Sequence, residues 1–219
     1  MASPSGDNPT VEIQLSFDRS THSYSQSEPP RIKLMVVSRA LHPIAIFTWR
    51  TPLDPKGALL NAGYAITDLT TGQSVKTTKY MCINRGPILR ARGDSDASFY
   101  LTLLPNVPAE LSTGFGRRGG GVKSDPRSVV ERGRERDEHG NERSARRSTN
   151  ATGVDGHEPN HHYAVSLNAE ALRSCLWAPV TKDEILVDAG GPGAQLRDYP
   201  WSETPLNFNV GEAALHVLE

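Results

Sequence analysis

The stretch that most constrains the fold is His42–Asp54, H-P-I-A-I-F-T-W-R-T-P-L-D. From Ile44 to Trp49 every residue except Ala45 is β-branched or aromatic, a composition that suits a pleated, buried surface. Strand alternation puts Ala45, Phe47 and Trp49 on one face and Ile44, Ile46 and Thr48 on the other. Both faces are apolar, so the strand belongs in the interior of a sheet. Pro43 can open such a strand but cannot sit inside its ladder. Arg50–Gly57, with two prolines and a glycine, is the exit into a loop. Trp49 is expected in the core, with Phe17, Phe47, Leu101 and Val165 buried beside it.

The flanking chain supplies partners for that strand. Thr10–Asp18 alternates cleanly, with Val11, Ile13, Leu15 and Phe17 on one side and Glu12, Gln14 and Ser16 on the other, the pattern of a half-buried strand. Arg31–Arg39 repeats it. Gly63–Leu69 and Gly72–Ile83 read as a hairpin around D-L-T-T-G-Q, where a glycine meets a need for positive φ. Ser98–Leu104, His162–Leu167, Lys182–Asp188, Leu206–Val210 and Ala213–Leu218 are further strands. Asn168–Leu176 is a short helix. About eight or nine short strands without βα alternation predict an all-β, antiparallel β-sandwich. It forms one domain over 10–219, after a polar tail at 1–9.

One segment is of different material. Between Thr113 and Asn160 charges of both signs crowd together with glycine and serine, and few residues could bury anything. Such a composition does not offset its ordering entropy. Residues 113–157 are therefore expected to be a disordered, charged, Gly/Arg-rich insertion, with at most a transient helix near Val129–Glu138. Residues 117–147 carry ten Lys/Arg against six Asp/Glu, without interleaved aromatics to stack on bases. That argues for a solvated linker over a nucleic-acid arm.

Charge and cysteine content narrow the function classes. The net charge is −1, so no global field favours nucleic acid or membrane. The N-terminal residues lack the basic and apolar regions of a secretory signal, and no run approaches the roughly eighteen apolar residues of a membrane span. A cytoplasmic protein is expected. Cys82 and Cys175 are then reduced thiols, the alternative being one disulfide between sheets.

His157-Glu158-Pro159-Asn160-His161 formally satisfies the H-E-x-x-H zinc-hydrolase pattern. That chemistry needs a helix to bring both histidines onto one face. Here Pro159 interrupts the motif and a strand pattern follows at once, so a turn feeding strand 162–167 is expected. Chance metal binding by His157, His161 and His162 is the milder alternative. Gly116–Gly121 lacks the Gly-Lys-Ser/Thr ending of a phosphate loop. Arg92-Gly93-Asp94 and the sequon Asn150-Ala151-Thr152 match extracellular patterns that a cytoplasmic chain does not use. No catalytic, cofactor-binding or metal residue is assigned.

Five blocks then stand in a familiar order: P-I-A-I-F-T-W-R-T-P-L-D (43–54), D-L-T-T-G (68–72), Y-L-T-L-L-P (100–105), E-P-N-H-H-Y-A-V-S-L (158–167) and W-A-P-V-T-K-D-E-I-L (177–186). The pattern resembles a group of short filamentous-fungal proteins of unknown function. More distantly, it is similar to immunoglobulin-like sandwiches such as intracellular proteinase-inhibitor domains. The resemblance covers most of 10–112 and 158–218. The long insertion departs from it, as does Asn160, where the group would have glycine. It implies an immunoglobulin-like sandwich and carries over no catalytic residues or cofactor. The expected function is an intracellular binding module without catalytic activity, with a protein partner of unstated identity. The alternatives are a zinc-dependent hydrolase using His157 and His161, and a weak nucleic-acid binder using the insertion.

Overall fold

Strand β1 (Thr10–Phe17) buries Val11, Ile13 and Leu15 and turns Gln14 and Ser16 outward, as its alternation requires. In chain order follow β2 (Thr21–Ser23), β3 (Arg31–Ser38), β4 (Ile44–Phe47), α1 (Pro55–Leu60), β5 (Tyr64–Asp68), β6 (Tyr100–Leu103) and β7 (Ala109–Gly114). Then come β8 (Arg134–Arg136), β9 (Glu142–Ser144), β10 (His162–Leu167), α2 (Ala169–Arg173), β11 (Leu176–Ala178), α3 (Lys182–Ile185), β12 (Asn207–Val210) and β13 (Ala213–Leu218). The computed structural model describes residues 8–23, 26–77, 86–116, 134–136, 142–144, 151–154 and 156–218.

The fold is an all-β sandwich. One sheet has the order β12-β1-β3-β7 and the other β2-β13-β10-β5, while β11-β4-β6 forms a third, smaller sheet. The interior pairs are antiparallel, but β12 joins β1 and β2 joins β13 in parallel. Both parallel contacts have one cause. The first chain segment leaves β1 for β2 in the opposite sheet, and the last does the same from β12 to β13. The two segments therefore run side by side through both sheets, tied at the crossing by Gly211 N–H donating to Ile13 O at 2.9 Å. Strands that switch sheets close the corners of a sandwich.

β4 is buried on both faces, as its composition demands. Ile44 and Ile46 enter the main core with Val11, Ile32, Leu34, Tyr163 and Val165. Ala45 and Phe47 point the other way, into a second core with Tyr100, Ala178, Ile185 and Leu186. Phe47 and Val165 are buried as expected, while Phe17 and Leu101 are partly buried and pack against the main core.

Trp49 departs from expectation, because the strand stops at Phe47. Thr48 N–H bonds to Phe99 O at 2.8 Å, and Thr51 closes a turn onto Thr48 O through both its amide and its hydroxyl. Arg50 takes φ 63° in that turn. Trp49 is left half-buried at the edge of the second core, against Phe99, with the Arg50 guanidinium 4.6 Å over its ring.

Other expectations are redrawn. Lys182–Ile185 is a helical turn rather than a strand, because Glu184 accepts from both the amide and the hydroxyl of Thr181 at 2.8 Å. The short helix after Asn168 is present as α2, capped by the Asn168 side chain. The hairpin after Leu69 is seen as a bridge from Thr67 to Ser74, and residues 78–85 lie outside the described range. The insertion is narrower than 113–157. β7 runs to Gly114 in register with β3, and Phe115, Val154 and His157 are buried. Phe115 meets Phe17 and Tyr64 edge-on, so apolar burial holds both ends of the excursion in the sandwich. Within the excursion the described pieces are β8 and β9, paired antiparallel, and β8 falls in 129–138, where the sequence allowed at most a transient helix.

Candidate functional site

The histidine-rich run 157–162 is distributed by a turn and then by strand alternation. Gly156 and Asn160 both have positive φ, 82° and 63°. Asparagine tolerates that conformation better than most residues, which suits Asn160 to this position. Asn160 N–H donates to Val217 O at 2.7 Å and locks the turn to β13. No helix forms there.

His157 is fully buried, its ring 3.9 Å from that of Tyr163. Tyr163 also fixes the turn: Glu158 N–H donates to its hydroxyl at 2.6 Å, and the hydroxyl donates back to Glu158 O at 3.3 Å. Burial raises the phenol to about 12. His161 lies nearer the rim on the same side of the sheet, stacked at 6.3 Å on Tyr163. His162 points to the opposite face, where it stacks on His216. The H-E-x-x-H residues thus do not share a helical face, and among the described residues no three His, Cys, Asp or Glu side chains gather as a metal site.

His161 instead pairs with Asp68, Nδ1 to Oδ2 at 2.7 Å. Asp68 opens the D-L-T-T-G turn and accepts from the Thr70 and Thr71 amides at 2.8 and 3.3 Å. Burial by itself would raise this carboxyl. The bonds from His161, Thr70 and Thr71 outweigh it and hold Asp68 below its ordinary value. The dyad could orient an imidazole as a base. Among the described residues, however, no hydroxyl or thiol hydrogen-bonds to the His161 ring, so nothing there is placed as a nucleophile.

The other motifs are absorbed by structure. Arg92-Gly93-Asp94 is a tight turn with Gly93 at φ 74°. Arg92 donates to Asp183 O, and Asp94 caps the 3₁₀ turn Ser95–Phe99 by accepting from Asp96 N at 3.0 Å. Cys175 is a free, buried thiol raised by burial to about 11, which makes it a poor nucleophile. Cys82, the 117–121 glycine-arginine stretch and Asn150 lie outside the described residues.

Two features were not singled out from sequence. The first is Arg90, buried beneath the loop at 190–195. It donates to the carbonyls of Ile185, Gly193 and Gln195, and its guanidinium lies 5.1 Å from the Tyr199 ring. An arginine between apolar neighbours, facing a G-G-P-G loop, was the available signal. The second is an apolar loop end. Leu41 is 89% exposed, and Leu104 and Val107 are 46% and 49% exposed. They sit on the β3–β4 and β6–β7 connections, which are joined by Asn106 N–H to Ser38 O at 2.8 Å and by Arg39 to Asn106 Oδ1 at 2.8 Å. Arg39 also pairs with Glu12 at 2.7 Å and forms a polar rim.

Fold and geometry define an all-β sandwich. Compared with known proteins, the chain matches no family model, no curated protein and no solved structure. No helix among the described residues is long and apolar enough to cross a membrane.

Proposed function

We propose that this chain is a non-catalytic interaction module, an immunoglobulin-like sandwich of the cytoplasm that presents one apolar loop end to a protein partner. The observation that carries this reading is the Leu41–Leu104–Val107 tip. Loops at the ends of a rigid sandwich are where such folds place recognition residues. Three large apolar side chains held in water on hydrogen-bonded connections, beside a polar rim at Arg39 and Glu12, have the make-up of an interface core and its border. The partner this tip fits is a protein surface with an apolar pocket.

The test is a paired substitution, Leu41→Asp with Val107→Asp. Both side chains are exposed, so thermal stability is expected to stay within about 0.5 kcal/mol of the parent. Binding to a co-purifying protein is expected to be lost. An unchanged interaction in the folded double variant would remove the loop end from the account.

A further inference from the structure

We propose that His162 and His216 form a surface site for a borderline divalent metal ion, with Cu(II) held more tightly than Ni(II) or Zn(II). The two residues face each other across β10 and β13. His216 N–H turns away to Ser20 O, and His162 N–H to the Thr70 hydroxyl. They are therefore a non-hydrogen-bonded cross-strand pair, the kind in which side chains approach closest.

Their rings lie 4.0 Å apart and 13° from parallel, so a tilt of the rings toward each other brings both within reach of one ion. A metal bound by two imidazoles at about 2.0–2.1 Å separates their nitrogens by roughly 2.9–3.4 Å at square or tetrahedral angles. Rotation about the broad terminal torsion of each ring closes the remaining difference. Among the described residues neither imidazole hydrogen-bonds to another side chain, unlike His161, whose Nδ1 is committed to Asp68. The register neighbours on this face include Thr21 beside His216, Ala164, Ala214 and Thr67 one step along, and Leu218 one step the other way. None is charged, and the alanines and threonines leave room on their side for an ion and its remaining solvent ligands. Imidazole suits Cu, Ni and Zn, and the ordinary affinity series puts Cu(II) first.

The test is titration of the full chain with Cu(II) and with Zn(II), followed calorimetrically and, for Cu(II), by electron paramagnetic resonance. The expected result is one saturable equivalent whose spectrum carries two nitrogen ligands. Loss of a residue that merely orients a ligand costs about 10–100-fold in affinity, so His162→Gln or His216→Gln is expected to weaken binding by at least about 100-fold. His161→Gln is expected to leave it unchanged. Low Cu(II) added to the parent protein should broaden the ring proton signals of His162 and His216 before those of any other histidine, a readout independent of how the variants fold. A first equivalent retained in the His162→Gln/His216→Gln double variant overturns the proposal. So does earlier broadening of a different histidine, or no saturable binding.

Discussion

Ile46→Ala is the substitution that most directly tests β4 as a strand buried on both faces. Ile46 is 0% exposed and lies in the main core opposite Trp177 and Leu101. The change removes three carbons, worth about 0.8 kcal/mol each in transfer, or roughly 2.4 kcal/mol. The cavity left among strands of three sheets adds to this wherever neighbours fail to collapse, and measured losses for such truncations run about 2–5 kcal/mol. A loss near 3.5 kcal/mol is expected. With a urea slope of about 2 kcal/mol/M, the midpoint falls by roughly 1.7 M. The assay is urea unfolding followed by tryptophan fluorescence and by circular dichroism. Coincident curves would indicate that both cores unfold as one unit. A loss under about 1 kcal/mol with an unchanged slope would mean that this face of β4 is not closed over, and the layered account of the fold would fail.

Trp49→Ala is expected to cost about 2 kcal/mol, below the roughly 3–5 kcal/mol of a fully buried aromatic, because Trp49 is only partly buried; chemical denaturation measures it. Gly153→Ala should be costly, because Gly153 has φ 91° and an added Cβ would lie 2.6 Å from the Phe115 ring. Strain and overpacking each contribute about 1–3 kcal/mol, read as a fall in melting temperature. Asp68, with its folded value lowered, stabilises fully above the ordinary carboxyl range near pH 4. That contribution is lost as pH falls through the lowered value, since the unfolded chain takes up the proton first. Stability measured from pH 6 to pH 2.5 should show this slope in the parent and lack it in Asp68→Asn. In His161→Ala the slope should shrink, because losing that bond brings the folded value of Asp68 back toward the unfolded one.

What was legible in the sequence follows from which signals are local. β4 could be read as buried on both faces because a period of two needs only six residues to declare itself. The turn at 157–161 could be read because Pro159 and the following alternation are neighbours. Trp49 was misplaced because alternation continues through it, whereas the turn that ends the strand depends on Arg50 adopting positive φ, which its identity does not announce. Lys182–Ile185 carried a local signal, Thr181 with Glu184 three residues on, outweighed by the apolar end Ile185-Leu186-Val187. The parallel edges and the His162–His216 pair depend on registers between segments far apart in the chain. Nothing near either histidine encodes them. Arg90 stood out locally only as an arginine between apolar residues, and its carbonyl partners, about a hundred residues away, could not be read from there.

The role proposed for the Leu41–Leu104–Val107 end is to bind a protein. Its most direct test is quantitative co-purification from the native cell, comparing the parent chain with the folded Leu41→Asp/Val107→Asp variant and with Ser166→Lys on the outer face of β10 as a control. The account predicts one protein enriched in stoichiometric amount with the parent and the control, and absent with the loop-end variant. Equal recovery with all three would contradict it, as would loss with the Ser166→Lys control alone.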